Sequence, residues 1–220
     1  MNQPVYKKIA FLAPRADLTR EAFLLHWETI HGPVVASAPD YGRWRQRYVQ
    51  NHIVGPGPLG EPPSFGGMAM FWLPGANEDD YGLSSTYRDH VRPDELNFID
   101  MDATVSMTAV EEIRRLGSGS VKLVVLVPRG RTVAGLAVPS AVVTGHRINH
   151  VVEGSMRLPG ARTVSGPDIA QVHEIWMTSP GALAHDAFQR DATSLSGGPE
   201  GTIMSFYARE RVFFDDGKPC

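Results

Sequence analysis

The alternation of apolar and polar residues along the chain predicts a similar order of strands and helices in each half. Period-two alternation over four to eight residues favours a strand, whereas apolar residues that recur every three to four positions favour a helix. The first half accordingly predicts strands over residues 5–14, 44–54, 67–73 and 103–114, with helices from Thr19 to about Ile30 and from Asn77 to about His90.

The first helix has recognisable start and stop signals. Thr19 can cap its first turn with the side-chain oxygen, and Glu21 follows in that turn. Gly32-Pro33 predicts the stop, since glycine tolerates a left-handed cap and proline cannot continue the hydrogen-bond ladder. His31 is therefore expected at the carboxyl end of the helix.

The second half repeats the pattern with strands near residues 121–128, 146–152, 170–177 and 202–213 and a helix near 180–193. Its Asn149-His150 pair matches Asn51-His52 of the first half, which indicates an internal duplication. The segment from Gly130 to Gly145 is short and broken by glycine and proline, so the second copy is predicted to have lost or shortened its first helix.

This order predicts an α+β fold of two tandem ferredoxin-like β-α-β-β-α-β units, residues 1–116 and 117–220, joined at Gly117–Ser120. Each unit leaves one sheet face bare, so the two sheets are expected to pack as a fused dimeric α/β-barrel with helices outside. The barrel is expected to enclose a small-molecule pocket. The alternative is a dry core filled by large side chains, namely Met68, Met70, Trp72 and Trp176.

Composition narrows the classes of partner. The formal net charge is −3 and 20% of residues are charged, with no basic stripe suited to a nucleic-acid backbone. Cys220 is the only cysteine, which excludes a disulfide framework or a thiolate zinc cage. No signal peptide or membrane span is evident, so a cytoplasmic, unprocessed protein is expected. A site for a metal or cofactor is not expected either.

Two sequence elements in the first half resemble the EthD-like family. They are Phe23-x3-Trp27-x3-His31-Gly32-Pro33 and Arg47-Tyr48-Val49-Gln50-Asn51-His52. The resemblance implies a dimeric α/β-barrel and cofactor-independent chemistry, such as dehydration, cyclisation or decarboxylation of polyketide-like aromatics, ether degradation or, in related barrels, muconolactone isomerisation. Such reactions move protons next to a carbonyl or phenol, which requires an acid/base group, an oxyanion donor and a water-poor cavity.

His31 is the leading acid/base candidate, because a helix carboxyl end favours the protonated ring while burial opposes it. The alternative is a structural cap on the helix carbonyls. Tyr48, Gln50 and His52 share one strand face, and the apolar character of Val49 and Ile53 suggests that these two meet the helices. Tyr48 and His52 are then expected to face the lumen and bind a substrate oxygen, although an amphipathic lining without turnover explains the same pattern.

His150 and Glu174 are secondary catalytic candidates, since adjacent strands could bring them together as a dyad. The alternative for Glu174 is a structural ion pair with Arg147 or Arg211, and His173 is expected on the opposite strand face. The predicted substrate-binding residues are Trp27, Gln50, Met70, Trp72 and Trp176.

The favoured function is a lyase of the dehydratase or cyclase type, acting without a cofactor on a small oxygenated substrate that is aromatic, polyketide-like or a lactone. An isomerase or a cofactor-free monooxygenase of the same barrel superfamily is the first alternative. A non-catalytic binding protein with an apolar pocket is the second. A fused pseudo-dimer is expected to act as a monomer or a homodimer, without nucleic acid or membrane.

Overall fold

The computed structural model of the protein describes residues 3–59, 65–75, 79–119, 121–131, 143–155, 168–178, 203–216 and 218–220. Its strands are β1 (Tyr6–Pro14), β2 (Arg47–Pro56), β3 (Gly67–Leu73), β4 (Ile99–Arg115), β5 (Val121–Pro128), β6 (Val143–Val151), β7 (Ile169–Met177), β8 (Met204–Asp215) and β9 (Lys218–Pro219). Its helices are α1 (Arg20–His26), α2 (Gly32–Ala36), α3 (Tyr41–Trp44), α4 (Asp79–Leu83) and α5 (Arg92–Phe98), with π-helical turns at Trp27–His31 and Thr86–Val91.

Strands β1 to β8 form a closed antiparallel barrel. The strand order is β2-β3-β1-β4-β6-β7-β5-β8, and a β2–β8 pairing closes the ring. The described helices belong to the first half, and together with the barrel they give the described part of the chain an α+β fold, consistent with the predicted α/β-barrel.

The matching Asn-His pairs occupy equivalent places in the barrel. Asn51 lies opposite Met68 in the β2–β3 ladder, and Asn149 lies opposite Val172 in the β6–β7 ladder. Each asparagine donates its side-chain N–H to the carbonyl of the residue opposite, at 2.9 Å and 3.0 Å. The same side chain thus makes the same bond in both halves.

The lumen of the barrel is packed with apolar side chains from both halves. Val49 and Ile53 of β2 lie in it with Met68 and Met70 of β3, and Phe206 reaches it from β8. Complete burial of such side chains stabilises a fold by about 1.5–3 kcal/mol each. In the described part of the barrel the lumen thus contains the apolar side chains of Met68 and Met70 that the packed-core alternative placed there, and the lumenal pocket stays a prediction.

The helices of the first half cover the outer face of its sheet. Tyr48 packs there with Phe23 and Trp27, on the strand face opposite to Val49. The predicted inward orientation of Tyr48, Gln50 and His52 is therefore wrong. Both faces of a barrel strand that is covered by helices are buried, so hydrophobicity alone did not identify the lumenal face.

The predicted end of the first helix is also wrong, although its start is confirmed by the Thr19 hydroxyl, which accepts a bond from the Ala22 N–H at 3.2 Å. Gly32 has right-handed backbone angles (φ −54°, ψ −54°), and the helix continues to Ala36. The widened π turn before Pro33 relieves the clash that a proline ring causes in an α-helix. Gly32 is needed for space, because a Cβ there would lie 2.2 Å from the Phe213 ring.

The second predicted helix extends further than expected, because Pro93 lies in the first turn of α5 and does not end the helical region. The helix predicted near residues 180–193 and most of the shortened segment from Gly130 to Gly145 lie outside the described residues. Among the residues described, no helix is both long and apolar enough to cross a membrane.

Candidate functional site

A cavity of about 70 Å³ lies between the outer face of the first sheet and the helices that cover it. By the volume that one water requires, it holds roughly five waters or a small organic molecule. Strands β1, β3 and β4 form its floor and the helical segments its roof. The cavity is lined by Lys8, Ala10, Leu12, His31, Val35, Arg45, Phe71, Tyr81, Tyr87, Val91, Glu95, Ile99, Met101, Thr104 and Ser106.

His31 lines this cavity and is held by a carboxylate. Its Nδ1 lies 2.8 Å from Oδ2 of Asp94, and Nε2 of His26 lies 2.9 Å from Oδ1 of the same carboxylate. Nε2 of His31 has no hydrogen-bond partner in the described part of the chain. Because an ionised carboxylate only accepts, Asp94 fixes the neutral His31 ring with its proton on Nδ1 and a lone pair on Nε2.

Two local structures bring this pair together. The π turn at Trp27–His31 carries the histidine, and Asp94 lies in the first turn of α5, where the helix dipole favours a negative charge. Partial burial works against ionisation of Asp94, but hydrogen bonds from His31 and His26 hold the pKa of its carboxyl below the usual value. The ring of Phe98, at 4.8 Å between centroids from each histidine, packs against both.

A tyrosine and a glutamate that are hydrogen-bonded to each other also line the cavity. The Tyr87 hydroxyl donates to Oε2 of Glu95 at 2.7 Å. Burial raises the pKa of the Glu95 carboxyl, although the charge of His31 acts in the opposite direction. Burial likewise raises the pKa of Tyr87, so its phenol keeps its proton.

Positive charge reaches the cavity from Lys8 of β1 and Arg45, which follows α3. Both side chains are buried, and the Arg45 guanidinium lies 3.9 Å from the centroid of the Tyr81 ring. A cation beside an aromatic wall in a site with little water interacts strongly with negative charge that develops on a ligand.

Tyr48, Gln50 and Trp27, predicted to contact substrate, instead form a buried network beside the cavity. The Trp27 indole N–H donates to the Tyr48 hydroxyl at 3.2 Å. The Gln50 amide donates to the same hydroxyl at 3.0 Å and to the Trp27 carbonyl at 2.7 Å. None of the three is among the residues that line the cavity at His31, and their contact with a substrate stays a prediction. Their bonds hold the π turn that carries His31.

His52 is also a helix-packing residue. Its ring stacks on Trp27 at 4.9 Å between centroids, and its Nε2 lies 2.8 Å from the Gln50 side-chain oxygen. Burial lowers the pKa of His52 to about 4, and the nearby Glu28 only partly offsets this effect. His52 is not among the residues that line the cavity, and its catalytic role stays a prediction.

The predicted His150–Glu174 dyad does not form. His150 is half exposed on the outside of the barrel, where its Nε2 lies 2.7 Å from Oε2 of Glu112. Glu174 is buried in the lumen, on the opposite face of the wall. His173 does lie on the face opposite to Glu174, and its Nδ1 is 3.2 Å from Nε2 of His146.

Glu174 bridges the two halves through buried lysines. Its Oε1 accepts from Lys7 at 3.1 Å and from Asn149 at 3.0 Å, and its Oε2 accepts from Lys122. These cations and this amide hold the pKa of the Glu174 carboxyl far below its usual range despite complete burial. The ion-pair alternative is thus correct in kind, but its partners are lysines rather than Arg147 or Arg211.

The lysines that bind Glu174 have matching tryptophan neighbours in the two halves. Lys7 lies opposite Trp72 in the β1–β3 ladder, and Lys122 lies opposite Trp176 in the β5–β7 ladder. Each ammonium lies over its tryptophan ring, at 4.3 Å and 4.7 Å from the centroid. Trp72 and Trp176 therefore complete this ion cluster in the lumen, and their contact with a substrate stays a prediction.

Met70, the fifth predicted substrate-binding residue, belongs to the apolar core in the lumen. Sequence reasoning missed Asp94, Lys8, Arg45, Tyr87 and Glu95. The acidic pair directly after Pro93 is a signal for the first turn of a helix, and it could have drawn attention to Asp94 and Glu95.

The fold and the site together define an α+β barrel protein with a histidine–carboxylate pair in a lateral cavity of its first half. The EthD domain family matches residues 15–102, a segment that contains both His31 and Asp94. This match includes Trp27-x3-His31-Gly32-Pro33, the element that resembled the same family in the sequence.

Solved structures resemble the protein over nearly its whole length. An anthrone oxidase-like protein aligns with a TM-score of 0.54 and 10% identity, over 96% of this chain and 94% of its own. A proposed monooxygenase from Lactobacillus acidophilus NCFM aligns with a TM-score of 0.48 and 6% identity, over 100% and 99% of the two chains. The first likeness supports the barrel fold. No curated protein matches the chain by sequence.

Proposed function

We propose that the protein is an enzyme that moves protons on a small oxygenated organic molecule bound in the cavity beside His31. The observation that carries this proposal is the 2.8 Å contact between His31 Nδ1 and the Asp94 carboxylate, on a ring that lines the cavity. A base oriented by a carboxylate is the arrangement that general acid/base catalysis requires.

In the proposed reaction, Nε2 of His31 takes a proton from a carbon next to a carbonyl. Asp94 stabilises the imidazolium that forms, and the cations of Lys8 and Arg45 offset the charge on the carbonyl oxygen. The electron pair of the broken C–H bond forms a C=C bond, and the C–O bond to a neighbouring hydroxyl breaks. The departing hydroxyl takes a proton from the cavity and leaves as water, so the overall reaction is that of a dehydratase.

The Glu95 carboxyl is suited to supply that proton. Its raised pKa keeps part of it protonated at higher pH than an ordinary glutamate, and Tyr87 fixes one of its oxygens at 2.7 Å. One group that removes a proton and another that returns it allow elimination or isomerisation without a redox step.

A second candidate function is cofactor-free oxidation of an electron-rich aromatic. The aromatic walls made by Phe71, Tyr81 and Tyr87 favour a flat ring, and a phenol deprotonated by His31 is an electron-rich species. The fold-level likeness to an anthrone oxidase-like protein agrees with this possibility without testing it. The two candidates share the base and differ in whether oxygen is consumed.

The test is a panel of β-hydroxy ketones and hydroxylated aromatic ketones, followed by the absorbance of the conjugated product and by an oxygen electrode. His31→Gln and Asp94→Asn should each lower kcat/KM by about 10²- to 10⁴-fold, the usual contribution of a general base. His90→Gln is the matched control, because His90 is exposed and does not line the cavity.

Each outcome separates the candidates. Product formation without oxygen uptake supports a lyase or isomerase, and stoichiometric oxygen uptake supports the oxidative alternative. Saturable binding with unchanged ligand would indicate a binding protein instead. If His31→Gln retained the wild-type rate on a substrate that the protein turns over, His31 would have no place in the mechanism.

We further propose that residues 1–116 and 117–220 are tandem ferredoxin-like units that act as one fused pseudo-dimer. The strand order supports this, since β2-β3-β1-β4 in the first half corresponds to β6-β7-β5-β8 in the second. Light scattering should then give the mass of a single 24.1 kDa chain. A stable dimer would show that fusion has not replaced self-association.

A further inference from the structure

A cleft on the protein surface lies next to the cavity at His31. This cleft of about 570 Å³ is lined by Arg15, Asp17, Arg92 and Leu96 together with residues 99–102. Ile99 and Met101 line both this cleft and the inner cavity. These two side chains therefore form a wall shared by the cavity and the cleft.

The wall is built on an irregular stretch of β4. In the β1–β4 ladder, Phe11 lies opposite Val105 and Ala13 lies opposite Asp100, so only Leu12 faces the four residues 101–104. This bulge interrupts the ladder and turns side chains out of the regular alternation.

Side chains satisfy the backbone that the bulge leaves unpaired. The Thr104 hydroxyl accepts from the Ala13 N–H at 2.8 Å. The Asp100 carboxylate accepts from the N–H groups of Asp102 and Ala103 at 3.0 Å and 3.2 Å. The bulge is thus a stable feature of β4 and fixes the position of residue 101.

The two wall residues differ in their freedom to move. Ile99 is 5% exposed, belongs to the core cluster under the helices and has a stiff, β-branched side chain. Met101 is only partly buried and packs at the edge of that cluster, and an unbranched thioether with three rotatable bonds adapts to what lies beside it.

We infer that Met101 is the gate through which molecules reach His31 from the surface cleft, and that its side chain limits the size of what enters. This inference deepens the proposed function, because it concerns access to the same cavity. Removing the side chain should open the passage, and a larger side chain should close it.

The test measures access without a substrate. Diethyl pyrocarbonate acylates the unprotonated nitrogen of histidine, and tandem mass spectrometry locates the product on each ring. The rate at His31 is divided by the rate at exposed His90 in the same molecules, so that loss of reagent cancels. Met101→Ala should raise this ratio several-fold, and Met101→Trp should lower it several-fold.

Leu25→Trp is the control, since it adds the same large ring at an exposed position of α1 that lines neither the cavity nor the cleft. It should leave the ratio unchanged. A ratio that is the same in wild type, Met101→Ala and Met101→Trp would overturn the inference. Its failure is distinct from failure of the proposed function, because a gate can control access to His31 whether or not His31 is catalytic.

Discussion

The buried carboxylate of Glu174 offers the sharpest test of how the two halves are held together. Glu174→Gln keeps the shape of the side chain and removes its charge. The carboxylate is fully buried and accepts from Lys7 and Asn149, at 3.1 Å and 3.0 Å, as well as from Lys122. The substitution would leave two buried ammonium groups without the acceptor that they share.

Removal of one partner from a buried ion pair typically costs about 3–5 kcal/mol. Each lysine keeps a second carboxylate, Glu111 for Lys7 and Glu210 for Lys122, so the lower end of that range is expected. Urea denaturation at neutral pH, followed by circular dichroism, would measure the free energy of unfolding. We expect Glu174→Gln to lower it by about 3 kcal/mol.

Glu112→Gln is the matched control, because Glu112 is 38% exposed and pairs with His150 and Arg114 at the surface. Its loss should cost less than about 1 kcal/mol. If the two variants were equally stable, the bridge across the barrel would not contribute as the structure indicates.

The pH dependence gives a second readout of the same group. The pKa of Glu174 is lower in the fold than in the unfolded chain, so its stabilisation is complete above the unfolded value of about 4.3. That stabilisation is lost as the pH falls below this value toward the folded pKa. Between pH 5 and pH 2, the stability of wild type should therefore fall more steeply than that of Glu174→Gln.

Two other substitutions and a titration test the packing of the first half. Gly67→Ala should lower the unfolding free energy by about 1–3 kcal/mol, because a Cβ there would lie 2.2 Å from the Trp27 ring. Gly55→Ala, where a Cβ meets no described atom within 4 Å, should change it by less than about 0.5 kcal/mol, and equal effects in urea denaturation would contradict this packing. His52, with its pKa lowered by burial to about 4, should show constant ring NMR shifts between pH 8 and pH 5.5; a midpoint near 6.5 would show that its ring is not buried.

The sequence was most informative where it repeats itself. Asn51 and Asn149 make the same bond in both halves, and the barrel that this duplication predicted is present. Repeated patterns survive because both copies solve the same packing problem, which makes them readable without knowledge of tertiary contacts.

Which face of a strand points into the lumen was less predictable from the sequence. Val49 and Tyr48 are both fully buried, one in the lumen and one under the helices, so neither side of β2 carries the polar signal of a solvent face. The same limit applies to Gly32, whose sequence context suggested a helix stop. Its small size is required by the Phe213 ring from the other half, a contact that no local pattern reveals.

The candidate site could be predicted only in part. His31 was identified from its motif, but Asp94 lies 63 residues further along the chain and meets it only in the folded protein. An ion pair of Glu174 was among the alternatives, but its partners were misjudged because the lysines that bind it come from two other strands.

The central claim is that Asp94 holds the His31 ring with its lone pair on Nε2, and nitrogen-15 NMR of the histidine rings tests it most directly. At a pH where the His31 ring is neutral, the account predicts a proton on Nδ1 and none on Nε2, since Nδ1 lies 2.8 Å from the carboxylate. In Asp94→Asn this preference should weaken. A neutral His31 with its proton on Nε2 in the wild-type protein would contradict the account, because that ring could not act as the proposed base.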